Sequence, residues 1–185
     1  MNGIQKNFLT VAMIFSLIFL VDTLISQAAA ETDLGRAVLS GEIAEVRVSL
    51  EKGANVNEKD SQFGTTPLHM AAFYGRTEIA KLLLRSKADI NAVDNEGETP
   101  LLAALANNQK EMGELLINRG AKVNVMTKKG WTPLHFAVSL KDEDLVRLLV
   151  EKGADLGAKT SEGSTPLDLA ITAGHKEIEA FLKKP

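Results

Sequence analysis

At 185 residues, with 45% hydrophobic and 24% charged side chains and only 5 Pro and 14 Gly, the chain has the composition of a folded body, which excludes a low-complexity or disordered protein. Its net charge of −3, with Lys and Glu interspersed rather than run together, offers no basic footprint for nucleic acid. The absence of cysteine excludes a disulfide scaffold, a thiolate metal site and a thiol nucleophile, and it suits an oxidising compartment.

The first thirty residues read as a secretory signal. Lys6 supplies the positive charge, Phe8 to Val21 forms the apolar stretch, and Ala28-Ala29-Ala30 gives the small-x-small pattern ahead of Glu31. Cleavage is expected after Ala30, leaving a secreted or periplasmic chain. The alternative is an uncleaved anchor, which would bring the protein to a membrane, although Asp22 interrupts the apolar stretch and leaves it short for a span.

Beyond residue 30 the chain repeats itself. Thr66-Pro67-Leu68-His69, Thr99-Pro100-Leu101-Leu102, Thr132-Pro133-Leu134-His135 and Thr165-Pro166-Leu167-Asp168 recur in strict phase, with a constant period of about 33 residues. Thr before Pro is an N-cap followed by the first helical position, where a missing N–H costs nothing and φ is already helical. A helix of about nine residues is therefore predicted from each Thr-Pro-Leu, stopping at Gly75, Asn108, Lys141 and Gly174. Lys141 departs from the Gly/Asn pattern of helix ends and predicts either slight local strain or a different cap. A second helix follows in each unit, with apolar residues at helical spacing, as in Ile79, Leu82 and Leu83 or Leu145, Leu148 and Leu149.

These second helices end at another periodic series, Gly53-Ala54-Asn55-Val56-Asn57, Lys87-Ala88-Asp89-Ile90-Asn91, Gly120-Ala121-Lys122-Val123-Asn124 and Gly153-Ala154-Asp155-Leu156-Gly157. The first interval carries one extra residue around Asp60 to Phe63, which predicts a bulge. Asp94-Asn95-Glu96-Gly97 and Lys128-Lys129-Gly130 are turn-formers between units. An incomplete unit comes first, with Thr32 as its expected cap, Asp33 where the others have Pro, and Gly41 at the place of Gly75. The last unit ends at Phe181-Leu182, with Lys176 and Glu179 giving it a polar outer face.

The period and the Thr-Pro-Leu-His signature resemble the ankyrin-repeat family over residues 32–182. The resemblance implies an all-α solenoid of stacked helix-turn-helix units with β-turn fingers. Its divisions would be a signal peptide at 1–30, an N-terminal capping half-repeat at 31–57, repeats at 58–91, 92–124 and 125–157, and a C-terminal capping repeat at 158–185. It also implies that His69 and His135 bond along the stack to join helix and finger, with a structural role for His175 as well.

The resemblance further implies recognition of a partner protein through the concave face and finger tips, at positions the repeat itself does not need. Just before each Thr-Pro-Leu these are Gln62, Phe63 and Thr65; Asn95, Glu96 and Glu98; Lys128, Lys129 and Trp131; Ser161, Glu162 and Ser164. Near the ends of the first helices they are Phe73 and Tyr74, Ala106 and Asn107, Ser139 and Leu140, Thr172 and Ala173. Phe63, Phe73, Tyr74 and Trp131 stand out, since aromatic anchors dominate binding energy, with Phe63 and Tyr74 the foremost because they fall beside the extra residue. Glu96, Glu98, Lys128, Lys129 and Leu140 complete the candidate partner-binding set. Trp131 has a second reading, in which it covers the base of its own finger.

Nothing marks catalysis. No G-x-S-x-G, H-E-x-x-H or phosphate-binding loop occurs, and the three histidines lack metal-site spacing. The expectation is a binding module without cofactor or metal. The rivals are a membrane-tethered adaptor, a self-assembling array, and an enzyme whose site is assembled across repeats.

Overall fold

A computed structural model describes residues 33–183, so the leader, the expected cap Thr32 and Lys184 lie outside the described residues. The described residues form ten helices and no strand, arranged as five antiparallel pairs. They are α1 (Asp33–Ser40) with α2 (Ile43–Glu51), α3 (Pro67–Phe73) with α4 (Thr77–Arg85), α5 (Pro100–Ala106) with α6 (Lys110–Asn118), α7 (Pro133–Ser139) with α8 (Glu143–Glu151), and α9 (Pro166–Ala173) with α10 (Lys176–Leu182). None is long and apolar enough to cross a membrane.

Each Thr-Pro start behaves as its chemistry dictates. Thr66, Thr99, Thr132 and Thr165 hold extended backbone and the proline takes the first helical position. The amides of Leu102 and Asp168 donate to the threonine hydroxyls at 3.4 and 3.2 Å. The first helices are shorter than expected, ending at Phe73, Ala106, Ser139 and Ala173. The marker residues lie just beyond, because the chain must turn through positive φ to enter the second helix. Gly75 and Gly174 do so freely, at 63° and 71°, while Asn108 and Lys141 both sit at 55°. Lys141 therefore carries the strain expected of it, about 1–2 kcal/mol for an L residue in this region.

Packing explains why the units stack. The first helices α1, α3, α5, α7 and α9 contact one another in series, and the second helices do the same. Ala71, Ala104, Ala137 and Ala170 recur once per repeat at the same register, all fully buried where a larger side chain would hold the first helices apart. Leu83, Leu116 and Leu149 fill the second helices with the same period, each with no exposure. In α2 the position matching Leu83 holds Ser49 and the one matching Ile79 holds Glu45, and Val46 is its only buried residue. At the other end Ile178 and Leu182 are buried, Arg147 lies 4.6 Å over the Phe181 ring, and Glu179 pairs with Lys176 and Lys183. The polar outer face expected of the last unit is thus found on α10, whereas α9 leaves Ile171 47% exposed.

Two polar ladders fix the register between units. Asn57, Asn91 and Asn124 each accept, through the side-chain oxygen, from the amide of Asp89, Lys122 and Asp155 in the following unit, at 2.7–2.8 Å. The second ladder is made of histidines. The Thr66 amide donates to Nδ1 of His69 at 3.2 Å, so that nitrogen carries no proton and Nε2–H donates to the Glu98 carbonyl at 3.1 Å. His135 does the same between the Thr132 amide and the Ser164 carbonyl. Leu102 occupies the histidine position of the intervening unit and is fully buried, so packing replaces the bond there. His175 donates from Nδ1 to the Val138 carbonyl at 3.0 Å, a third link along the stack.

Burial lowers the pKa of both His69 and His135 below its ordinary value of 6.5, outweighing the bonds to the Glu98 and Ser164 carbonyls. The unfolded chain therefore binds protons that the folded chain refuses. No stability is lost above the unfolded value near 6.5, and stability falls as pH drops below it toward the depressed folded values. Urea midpoints should decline as pH falls below about 6.5; in a His69→Gln/His135→Gln variant that decline should be largely absent, and an equal decline would contradict the assignment.

Candidate partner-binding face

The fingers are built by one kind of side chain in one place. Asp60, Asp94, Thr127 and Thr160 stand at the finger bases, and their amides close the turns by donating to the carbonyls of Thr65, Glu98, Trp131 and Ser164 at 2.9–3.0 Å. Their side chains accept from amides of the same finger: Asp94 from Glu96 and Glu98, Thr127 from Trp131, and Thr160 from Ser164. These are Asx- and ST-type turns. The series was available in the sequence as a short acceptor side chain at one place in every repeat, the first step being longer by the extra residue. It lacks the regularity of Thr-Pro-Leu because two residue types serve one role.

The extra residue lies in the first finger, as expected. Asp60 closes over one residue more than the others and holds the longer loop with its carboxylate, which accepts from the amides of Gln62, Phe63 and Thr65 and from the Thr65 hydroxyl. Gly64, at φ +69°, leaves the space into which Asn95 of the second finger fits; a Cβ there would lie 2.4 Å from the Asn95 side-chain oxygen. The Asn95 amide then donates to the Phe63 carbonyl at 2.9 Å. Glu96 meets Lys128 of the third finger at 2.6 Å, and the Ser161 amide donates to the Lys129 carbonyl. The fingers thus form a continuous edge.

This arrangement creates a hollow of about 260 Å³ between the first two full repeats. Phe63, Met70 and Phe73 line one side, and Ala103, with Asn107, lines the other. Asp94, Glu96 and Glu98 stand around it. Burial raises the Glu98 pKa above its ordinary value, and the negative charges of Asp94 and Glu96 raise it further.

Of the candidate partner-binding set, Phe63, Phe73, Glu96 and Glu98 therefore share one hollow, together with Thr65 and Asn107 from the wider list of variable positions. The others do not join it. The Tyr74 ring packs edge-on against Phe73 at 5.0 Å, outside the lining. Trp131 is half-buried, 5.1 Å from the Phe136 ring and 6.0 Å from His135, and so covers the base of its finger. Its edge also borders a hollow of about 250 Å³ with Leu169 and His175. Lys128 and Lys129 are exposed on the finger edge, and Leu140 caps α7 beside Lys110 and Asp142, which pair at 3.1 Å. Sequence reasoning missed Met70 and Ala103 as lining residues, although they occupy the same position of successive repeats, the third after the helix-starting proline. Among the described residues no three His, Asp or Glu side chains converge so as to hold a metal ion.

A family model described as ankyrin repeats, in three copies, matches residues 20–127 and 114–184. Among curated proteins, the chain is 42% identical over 59 residues to 2-5A-dependent ribonuclease of Mus musculus, covering 32% of this chain and 8% of that one. It is 37% identical over 65 residues to protein phosphatase 1 regulatory subunit 27 of Homo sapiens, covering 35% and 42%. A 45-residue stretch is 49% identical to neurogenic locus notch homolog protein 1 of Danio rerio, covering 24% and 2%. The chain thus spans less than half the length of each of these relatives.

Proposed function

Because the chain belongs to the ankyrin-repeat family, we propose that it is an exported protein-protein interaction module that grips a partner protein along its first helices and fingers. The observation that carries this reading is the hollow joining Phe63 and Phe73 to the second repeat, on a frame whose fingers are bonded to one another. Such a surface binds by burying a few aromatic and aliphatic groups, and a rigid frame loses little freedom in doing so. A regulatory subunit of a phosphatase among the relatives accords with a binding role. Export is supported by Lys6, the apolar stretch from Phe8 to Val21 and Ala28-Ala29-Ala30.

The test is cross-linking in the native host with a C-terminally tagged chain, compared with a Phe63→Ala/Phe73→Ala variant, and mass spectrometry of everything captured. The expected result is a protein captured by the wild type and lost by the variant, on a chain whose first residue is Glu31. Equal capture by both would remove the contact from the hollow, and no capture would sink the binding reading. A chain retaining residues 1–30 would replace export by tethering.

A further inference from the structure

We infer that the hollow between the first two full repeats receives a single arginine side chain of the partner protein, with lysine a weaker substitute. The inference rests on the proposed binding role and adds the chemistry of what is bound.

The walls are largely apolar, formed by Phe63, Met70, Phe73 and Ala103, while the charged residues of the lining, Asp94, Glu96 and Glu98, are all acidic, with Lys128 alongside Glu96. A hollow of about 260 Å³ has the volume of about nine waters, enough for one long side chain but not for a helix. Each acidic group has a different degree of compensation. Glu96 is already paired with Lys128 at 2.6 Å, and Oδ1 of Asp94 accepts from two amides of its own finger. The Glu98 carboxylate is half-buried and has neither a hydrogen bond nor an ion pair among the described residues. His69 cannot supply a countercharge, since its Nδ1 accepts from the Thr66 amide and its Nε2–H is committed to the Glu98 carbonyl. A half-buried carboxylate without a cation is unfavourable, and the raised pKa of Glu98 reflects that cost.

The occupant must therefore carry positive charge at one end and apolar surface along its length. A metal ion fails, because the carboxylates do not converge. A phosphate-bearing partner fails by charge. Arginine fits both requirements: its methylene stem lies against Met70 and Ala103, its planar guanidinium stacks on aromatic rings such as Phe63 and Phe73, and it forms paired bonds to a carboxylate.

The experiment is selection of a random dodecapeptide library on the immobilised full chain, followed by affinity measurements on the winning peptide. A fixed arginine or lysine is expected in the selected sequences. Replacing that arginine by citrulline, its neutral isostere, should weaken binding at least about tenfold, as should Glu98→Gln in the protein, and both effects should shrink at high salt. Glu98→Gln leaves the backbone bonds of the finger in place, and an unchanged melting temperature would confirm this. Selected peptides without a basic residue, or a citrulline peptide that binds equally, would overturn the arginine assignment. If such peptides were still lost on Phe63→Ala/Phe73→Ala, the hollow would remain a docking site. Peptides indifferent to both variants, or no enrichment at all, would overturn both readings.

Discussion

Leu116→Ala is expected to lower the free energy of unfolding by about 2–5 kcal/mol, the range for removing a buried leucine from a packed core. Leu116 has no solvent exposure, and it lies in α6, the central second helix of the stack, which contacts both α4 and α8. The cavity would therefore loosen two unit interfaces. In a stack held together by nearest-neighbour contacts, no distant element can compensate. Leu182 occupies the same position in the last pair, is 8% exposed, and has α8 as its only neighbouring second helix among the described residues. Leu182→Ala should accordingly cost clearly less. Urea unfolding of the two variants decides the matter: a Leu116→Ala loss no larger than that of Leu182→Ala would mean that burial in the centre of the stack is not what stabilises it.

The second large effect is expected from Asp60→Ala. Asp60 is 6% exposed, and removing its carboxylate strips the acceptor from the amides of Gln62, Phe63 and Thr65 at once. Leaving buried donors unpaired costs about 1–3 kcal/mol for a group, and water can reach only part of this loop, so a loss of about 2–3 kcal/mol is expected. The damage should be local first. Hydrogen exchange should accelerate at residues 61–65, and Phe63, whose carbonyl also anchors Asn95, should leave the hollow. Burial pushes the Asp60 pKa up, but the bonds from Phe63, Thr65 and Gln62 outweigh it and hold it below the ordinary 3.8. Its stabilisation is thus present above the unfolded value and is lost as pH falls through the lower folded value. Asp60→Ala should make the acid limb of the stability curve shallower below about pH 4; an unaltered acid limb together with normal exchange at 61–65 would refute the role assigned to this carboxylate.

The elements legible in the sequence are those governed by contacts within about one turn of chain. Thr before Pro starts a helix because cap and φ are set by two adjacent residues, and Asn108 and Lys141 take positive φ because a tight turn joins two antiparallel helices. Ala71, Ala104, Ala137 and Ala170 and the leucines of the second helices recur with the same period as Thr-Pro-Leu, so the core was written in the same rhythm as the caps. The first helices are shorter than the spacing from Thr-Pro-Leu to the marker residue predicts, because a marker identifies the turn rather than the last helical hydrogen bond.

The candidate site divides along the same boundary. That Phe63, Phe73, Glu96 and Glu98 vary within the repeat is a property of the sequence, but that they meet is not. Phe63 and Glu98 belong to different units, and their approach depends on Gly64 making room for Asn95 and on the spacing that the buried alanines set between α3 and α5. The same packing turns Tyr74 onto Phe73, ties Trp131 to the base of its finger, and spends the charge of Glu96 on Lys128 while Glu98 has no cation among the described residues. The sequence by itself thus determined the repeat, its caps and its core, since these follow from local backbone preference and periodic burial. Only the tertiary structure decided which variable side chains share a hollow and which carboxylate is left uncompensated, since distances between units arise from packing that no single repeat contains.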